Sequence, residues 1–308
     1  MHYLVTGGAG FIGSHLVEAL LASGNTVTII DDLSSGSEDN LAAIQGAAFI
    51  DAKLQDYNLK KLEAIDGIFH LAAQVSVPLS IKDFKNSSIN NIASSLNVLD
   101  HAKEKQTPVV YASSSAVYGN LPAGDDEQAQ VHLKSPYAAD KYCLEQYAKT
   151  CHELFQLPSM GMRFFNVYGP RQDPNNPYSG VISIFIKQFI EQRPITLFGG
   201  EQTRDFIFVK DIAKLLIKGM QRLHGKPCCE VTNIGTGHSI SIQALAELLA
   251  KLFNTQLNAQ YSPLPAGDPL HSTCISKHLT TLLEVTQKDF LPLKEGLRQT
   301  IEYITARA

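Results

Sequence analysis

Residues 2–15 read HYLVTGGAGFIGSH, and this stretch decides the fold. A β-rich run, HYLVT, enters a cluster of glycines. The chain leaves it as a segment in which Phe11, Ile12, His15, Leu16, Ala19 and Leu20 recur at helical spacing. Gly8, Gly10 and Gly13 satisfy GxGxxG, and Gly7, Gly10 and Gly13 satisfy the related GxxGxxG. Either spacing serves one physical end: a tight turn, close approach of backbone to a pyrophosphate, and close packing of helix on strand. The helix opening there offers unpaired N–H groups and its positive dipole end. Gly7, Gly10, Phe11, Ile12 and Gly13 are therefore expected at a dinucleotide's phosphates. A second run, TVTII (26–30), ends at Asp31, where a carboxylate is placed to accept from ribose hydroxyls.

A carboxylate there repels a 2′-phosphate, and the following Asp32, Leu33, Ser34 and Ser35 include no arginine. NAD is expected rather than NADP. Asp32 reads either as part of this site or as a solvated loop residue. Asp51, with Ala52 after it, either meets the adenine or makes a turn. Further β-rich runs, AAFI (47–50), GIFHL (67–71) and PVVYAS (108–113), alternate with helical patterns, including 88–105 and 136–155. That rhythm predicts an α/β fold, a doubly wound parallel sheet of Rossmann type, and the apolar strands predict cover on both faces.

The polar stretch GPRQDPNNPYSG (169–180) reads as a boundary. Residues 1–167 are expected to form the dinucleotide domain. Residues 168–308 are expected to form a smaller mixed α/β lobe, with some segments returning to the first. Its helices are expected near 181–191, 209–223, 241–252 and 295–306. The 308 residues are 44% hydrophobic and 18% charged, with net charge −4 and no basic block, which argues against nucleic acid as a partner. HYLVT is too short for a signal-peptide core, and no long apolar run follows it, which argues against a membrane. Five cysteines, an odd number without CxxC spacing, suit a reducing compartment, so a cytoplasmic location and no metal site are expected.

The chemistry is expected at ASSSAVYG (112–119) and YAADK (137–141). Tyr137 and Lys141 stand four apart on a helix that Ser135 caps and Pro136 enters, so they share a face. A second YxxxK match, Tyr57 to Lys61, has no hydroxyl cluster upstream and reads as a surface turn. A free tyrosine titrates near pH 10. A cation about 4 Å away, at an effective dielectric of about 20, contributes roughly 4 kcal/mol. Lys141 together with an oxidised nicotinamide is thus expected to poise Tyr137 near neutral pH as a base, with Ser114 sharing its proton.

Taken together, TGGAGFIGSH, DDLSSG (31–36), HLAAQ (70–74), SSSAVYG, YAADK, RFFNVYGPRQDP (163–174), RDFIFVKDIA (204–213) and NIGTG (233–237) resemble the extended short-chain dehydrogenase/reductase superfamily. Within it, the chain is similar to the UDP-galactose 4-epimerase-like nucleotide-sugar enzymes over nearly its whole length. The resemblance implies Ser114, Tyr137 and Lys141 as the catalytic set, and Leu71, Ala72, Ala73, Gln74, Asn91 and Phe165 around NAD. On the UDP-sugar side it implies Ser114, Ser115, Asn166, Val181, Ile182, Thr196, Phe198 and Arg204. His271 or Ser272 would stand at the sugar's C2 substituent. A homodimer is also implied, pairing the helices at 88–105 and 136–155.

Related dehydratases and decarboxylases carry acids just after the catalytic Ser or Thr, where this chain has Ser115 and Ala116. Oxidation followed by reduction at C4 is therefore expected, without elimination. The expected activity is 4-epimerisation of UDP-glucose/UDP-galactose or the N-acetylhexosamine pair. The alternatives are a UDP-glucuronate 4-epimerase, a dehydrogenase or reductase that releases NADH, and a non-catalytic NAD-binding regulator. One departure stands out. Relatives usually place a diphosphate-binding arginine two residues before the Gly267–Asp268 pair, and here Pro265 occupies that place. Losing such a contact costs about 1.5–3 kcal/mol. Arg204, alone or with His271, is expected to offset it.

Overall fold

The computed structural model describes residues 1–307 except 43, 122, 129, 176–178 and 265–268. Strand β1 (His2–Thr6) leads through the glycine turn into α1 (Phe11–Ala22), β2 (Thr26–Asp31), β3 (Ala47–Asp51) and β4 (Gly67–His70). A short α2 (Val77–Lys82) and the long α3 (Phe84–Lys105) precede β5 (Val109–Ser114), β6 (Gly124–Asp125) and α4 (Pro136–Phe155). Next come β7 (Ser159–Phe164), β8 (Asn166–Tyr168), α5 (Val181–Ile190), β9 (Ile195–Phe198), β10 (Thr203–Phe208) and α6 (Val209–Gly225). The chain closes with β11 (Cys229–Ile234), β12 (Ser239–Ser241), α7 (Ile242–Leu252), β13 (Ala259–Ser262), β14 (Cys274–Ile275), α8 (His278–Leu283) and α9 (Leu293–Thr305).

Seven strands form one parallel sheet in the order β11-β7-β5-β4-β1-β2-β3. The direction of winding reverses between β1 and β4, and at such a point the carboxyl ends of the strands open a ligand crevice. On one face α1 and α6 pack together, with Leu16, Val17 and Leu20 against Ile212, Ala213 and Leu216. On the other face, Val98 and Leu99 of α3 and Leu144 and Ala148 of α4 cover Leu4, Ile68 and Tyr111. Each such side chain, once fully buried, contributes about 1.5–3 kcal/mol. The edge strand β3 departs from the expected two-sided cover: most of it is exposed, Phe49 included at 38%. As the edge strand, β3 has a neighbour on one side alone, β2.

Beyond residue 168 the chain builds a second core, where Ile182, Phe185, Leu197, Leu245, Leu249 and Leu297 meet. A three-stranded sheet β12-β10-β8 and the pair β13-β9 accompany it. Yet α6 packs on α1, and β11 joins the large sheet beside β7. These returning segments bind the second layer to the first. Among the described residues, no helix is long and apolar enough to cross a membrane.

Candidate active site

The glycine turn sits at the carboxyl end of β1. Gly7 has φ of 71°, a conformation side chains rarely adopt, and a Cβ there would lie 2.7 Å from the Ala72 nitrogen. At Gly13 a Cβ would fall 2.0 Å from the Gly7 oxygen, so helix and turn touch because no side chain intervenes. Gly10 caps α1 without any side-chain hydrogen bond. The first N–H groups of α1 are thus left for an anion, and this cradle fits a dinucleotide's pyrophosphate.

Asp31 is 9% exposed, and its carboxylate accepts from the Ala9 and Leu33 N–H groups, both at 2.9 Å. It therefore clamps the glycine turn as well as standing at the end of β2. Burial pushes its pKa up, against those two hydrogen bonds. Asp32 accepts from the Ser34 N–H in a solvated loop. Asp51 pairs in register with Asp31 on β3, and Ala52 donates its N–H to the Asp31 carbonyl.

Across the switch point, the hydroxyl oxygen of Thr6 accepts from the Leu71 and Ala72 N–H groups, each at 3.2 Å. Asn91 closes on Gln74: its Oδ1 accepts from the Gln74 N–H at 2.7 Å and its Nδ2 donates to the Gln74 carbonyl. Its side chain thus shapes the 71–74 loop, which is how it bears on a cofactor there.

The hydroxyl, phenol and amine converge where β5 ends and α4 begins. Ser135 caps α4 by accepting from the Ala138 N–H, and Tyr137 receives its own backbone support from Ser80 Oγ at 3.2 Å. Ser114 accepts from the Ala116 N–H and hydrogen-bonds the Tyr137 phenol. Lys141 donates to the Ala112 carbonyl at 2.9 Å, and its Nζ lies 5.8 Å from the Tyr137 ring centroid. Tyr137 and Lys141 are 8% and 5% exposed.

In the protein alone, burial raises the phenol's pKa, the Ser114 hydrogen bond opposes that rise, and the charge of Asp140 adds to it. Lys141 is itself brought down to about 8 by burial, with Asp140 acting the other way. Its Nζ sits over the phenol ring and bonds to backbone.

Beneath this site lies a buried network that sequence reading missed. Ser113 donates to Glu145, which holds Arg163 through Nε at 2.8 Å and Nη2 at 2.6 Å. Arg163 Nη1 reaches Tyr118, whose hydroxyl donates to Asn233 Oδ1 at 2.7 Å. The network holds the strand end and the Ser115–Tyr118 turn that follows Ser114. That turn contains no acid. Phe165, 6% exposed, lies against Tyr118 with ring centroids 6.4 Å apart.

On the second layer, Thr196 and Phe198 alternate outward along β9 and Phe198 is 47% exposed, a free ring face. Asn166 donates to the Asp205 carbonyl, tying β8 to β10. Ile182, by contrast, is 1% exposed and packs into the second core with Phe185, so its side chain does not line a cleft; Val181 beside it is half-buried. Arg204 Nη1 donates to the Thr203 and Pro269 carbonyls. The Thr203 N–H bonds to the Leu270 carbonyl and the Ser272 N–H to the Thr203 carbonyl, a parallel pairing that sets His271 beside Thr203. Thr203 Oγ1 is 3.3 Å from His271 Nδ1. By alternation Ser272 shares the face of Arg204. Tyr178, Pro265, Gly267 and Asp268 lie outside the described residues.

The UDP-glucose 4-epimerase of Mycolicibacterium smegmatis is 34% identical over 98% of this chain and 98% of its own. A UDP-N-acetylglucosamine 4-epimerase from Methanobrevibacter ruminantium M1, solved with UDP-N-acetylmuramic acid, is 37% identical. It superposes with a TM-score of 0.94 over 100% of this chain and 99% of that one. A UDP-glucuronic acid 4-epimerase from Bacillus cereus, solved with UDP-glucuronic acid and NAD, is 31% identical with a TM-score of 0.90, each chain covered in full. The model of the NAD dependent epimerase/dehydratase family matches residues 3–235. With glycine turn, strand-end serine and Tyr–Lys pair carried on one parallel sheet, this chain belongs to that family.

Proposed function

We propose that this protein inverts C4 of a UDP-hexose through a 4-keto sugar, with NAD retained through the cycle. The observation that carries the reading is the convergence of Ser114, Tyr137 and Lys141 beside a turn, Ser115–Tyr118, that holds no acid. Gly7, Gly10, Gly13 and the α1 N-terminus would hold the cofactor's phosphates, Asp31 its ribose and the 71–74 loop its nicotinamide half. When bound, NAD supplies the acceptor for the C4 hydrogen and a ring cation beside the phenol. Tyr137 takes the proton of the 4-hydroxyl and gives it back, with Ser114 steadying the substrate oxygen. The keto sugar turns in the cleft between the two steps. Without a second acid to expel a hydroxyl, elimination has no proton donor.

The substrate's uracil is assigned to Thr196 and the open face of Phe198, and its diphosphate to Asn166 and Arg204. Ser272, sharing the Arg204 face, is assigned to the C2 substituent in preference to His271, and its small side chain leaves room for an N-acetyl group. Incubation with UDP-glucose, UDP-N-acetylglucosamine and UDP-glucuronate, with products resolved at the anomeric proton by NMR, tests the reading. Interconversion of C4 epimers without added NAD is the expected result, and NADH accumulating with an oxidised sugar would reject it.

A homodimer is part of the same proposal. Ile89 and Leu96 on α3 and Tyr147, Leu154 and Phe155 on α4 are exposed along two long, adjacent helices. A second copy covers this double stripe best, because a two-fold axis sets it against itself. Sedimentation should give twice the chain mass, and a monomer carrying full activity would contradict it. All five cysteines are free thiols, which suits a reducing cytoplasm.

A further inference from the structure

We propose that Asp140 is a positioning residue for this chemistry, fixing Asn91 and holding Lys141 as an ammonium from one residue away. The proposal rests on reading Ser114, Tyr137 and Lys141 as the proton-handling set. Asp140 is 5% exposed, in a helix whose solvent face could have taken an acid without cost. A buried carboxylate calls for compensation. Its Oδ2 accepts from Asn91 Nδ2 at 3.1 Å, a neutral amide that leaves the negative charge unmatched. Lys141 has the converse need: a buried ammonium whose hydrogen bond goes to a neutral carbonyl, Ala112. The two residues are buried neighbours on α4, joined by no direct ion pair, so Asp140 acts on Lys141 through its field.

The other groups around them do not compete. His70 on β4 is neutral, sealed between Thr6 Oγ1 at 2.9 Å and Ser95 Oγ at 3.1 Å. Cys143 on α4 is a thiol whose pKa is raised, by burial first and by Asp140 second. Glu145, one turn beyond Lys141, is matched by Arg163. Ser114 and Ala112 on β5 and Ser80 on α2 carry no charge. Asp140 raises the pKa of both Tyr137 and Lys141, so removing its charge shifts both groups in one direction. Through Asn91 and Gln74 the same carboxylate ties α4 to the loop assigned to NAD.

The test uses the NAD-loaded enzyme with lysine labelled at the ε-carbon, followed by NMR against pH, with Lys141→Met identifying the resonance. In Asp140→Asn the Lys141 midpoint should fall by roughly one unit or more, and Asp140→Glu should restore it. Both limbs of the pH–rate profile should move to lower pH in Asp140→Asn, a response that loss of packing alone does not give. Asp140→Ser carries the same prediction, so whichever neutral variant folds decides the matter. An unmoved midpoint in a folded, NAD-bound neutral variant overturns the proposal. A shifted midpoint without turnover of any UDP-sugar would uphold Asp140 and reject the substrate reading instead.

Discussion

Tyr137 shows how burial and function pull against each other at a single residue. Its oxygen must surrender a proton near neutral pH, yet its surroundings favour the neutral phenol. Removing the hydroxyl should leave packing intact, because the ring stays in place. Tyr137→Phe is expected to lose roughly 10²–10⁴-fold in kcat while still purifying with NAD, read as absorbance of the denatured supernatant. Unchanged turnover would remove the phenol from the mechanism. Ser114, Tyr137 and Lys141 were legible in the sequence because hydroxyl, phenol and amine at those spacings have few other joint uses. Asp140 was not, since an acid in a helix reads as a solvated charge until the fold buries it. Glu145 and Arg163 were invisible for a similar reason: 18 residues separate them, and the strand β7 brings them together.

Among the elements, β5 and its neighbour β7 illustrate a fit with one misfit atom. Gly161 on β7 lies so close to the Tyr111 ring that a Cβ would sit 2.6 Å from its hydroxyl. That hydroxyl is fully buried and has no hydrogen-bond partner among the described residues. An unpaired buried hydroxyl is destabilising. Tyr111→Phe is therefore expected to stabilise the protein by about 1 kcal/mol, seen as a higher midpoint in urea at unchanged slope. Helix positions were read well, with α4 matching the expected 136–155, because capping and periodicity act locally. The first five strands were read to within a residue or so. Later strands were not: SMGMRF of β7 has no β-branched residue, and it forms a strand because β5 and β11 flank it. The short β12, β13 and β14 likewise owe their form to partners distant in sequence.

At the scale of the whole molecule, two buried histidines make stability depend on pH. His70 is held down to about 3 by burial, and His15, which bonds to the Pro170 carbonyl and so joins α1 to the segment after β8, to about 4. Below pH 6.5 the unfolded chain binds protons that these folded histidines refuse. Stability is therefore complete above that pH and lost as pH falls, by about 1.4 kcal/mol per unit for each histidine. His70→Asn should flatten the stability curve between pH 6.5 and 5 by that amount, as measured by urea titration at each pH. An unaltered slope would mean that His70 is charged in the fold. Asp31 and Asp205, whose pKa values burial raises, act in the opposite sense but are common to both proteins and cancel in the comparison.

In the proposed cycle the hydrogen at C4 leaves and returns within one closed cleft. The direct measurement is turnover of a UDP-hexose carrying deuterium at C4, in ordinary water, with the product read by mass and NMR. Full retention of deuterium at C4 of the epimer is predicted. Its loss to solvent, or its appearance in released NADH, would contradict the central claim.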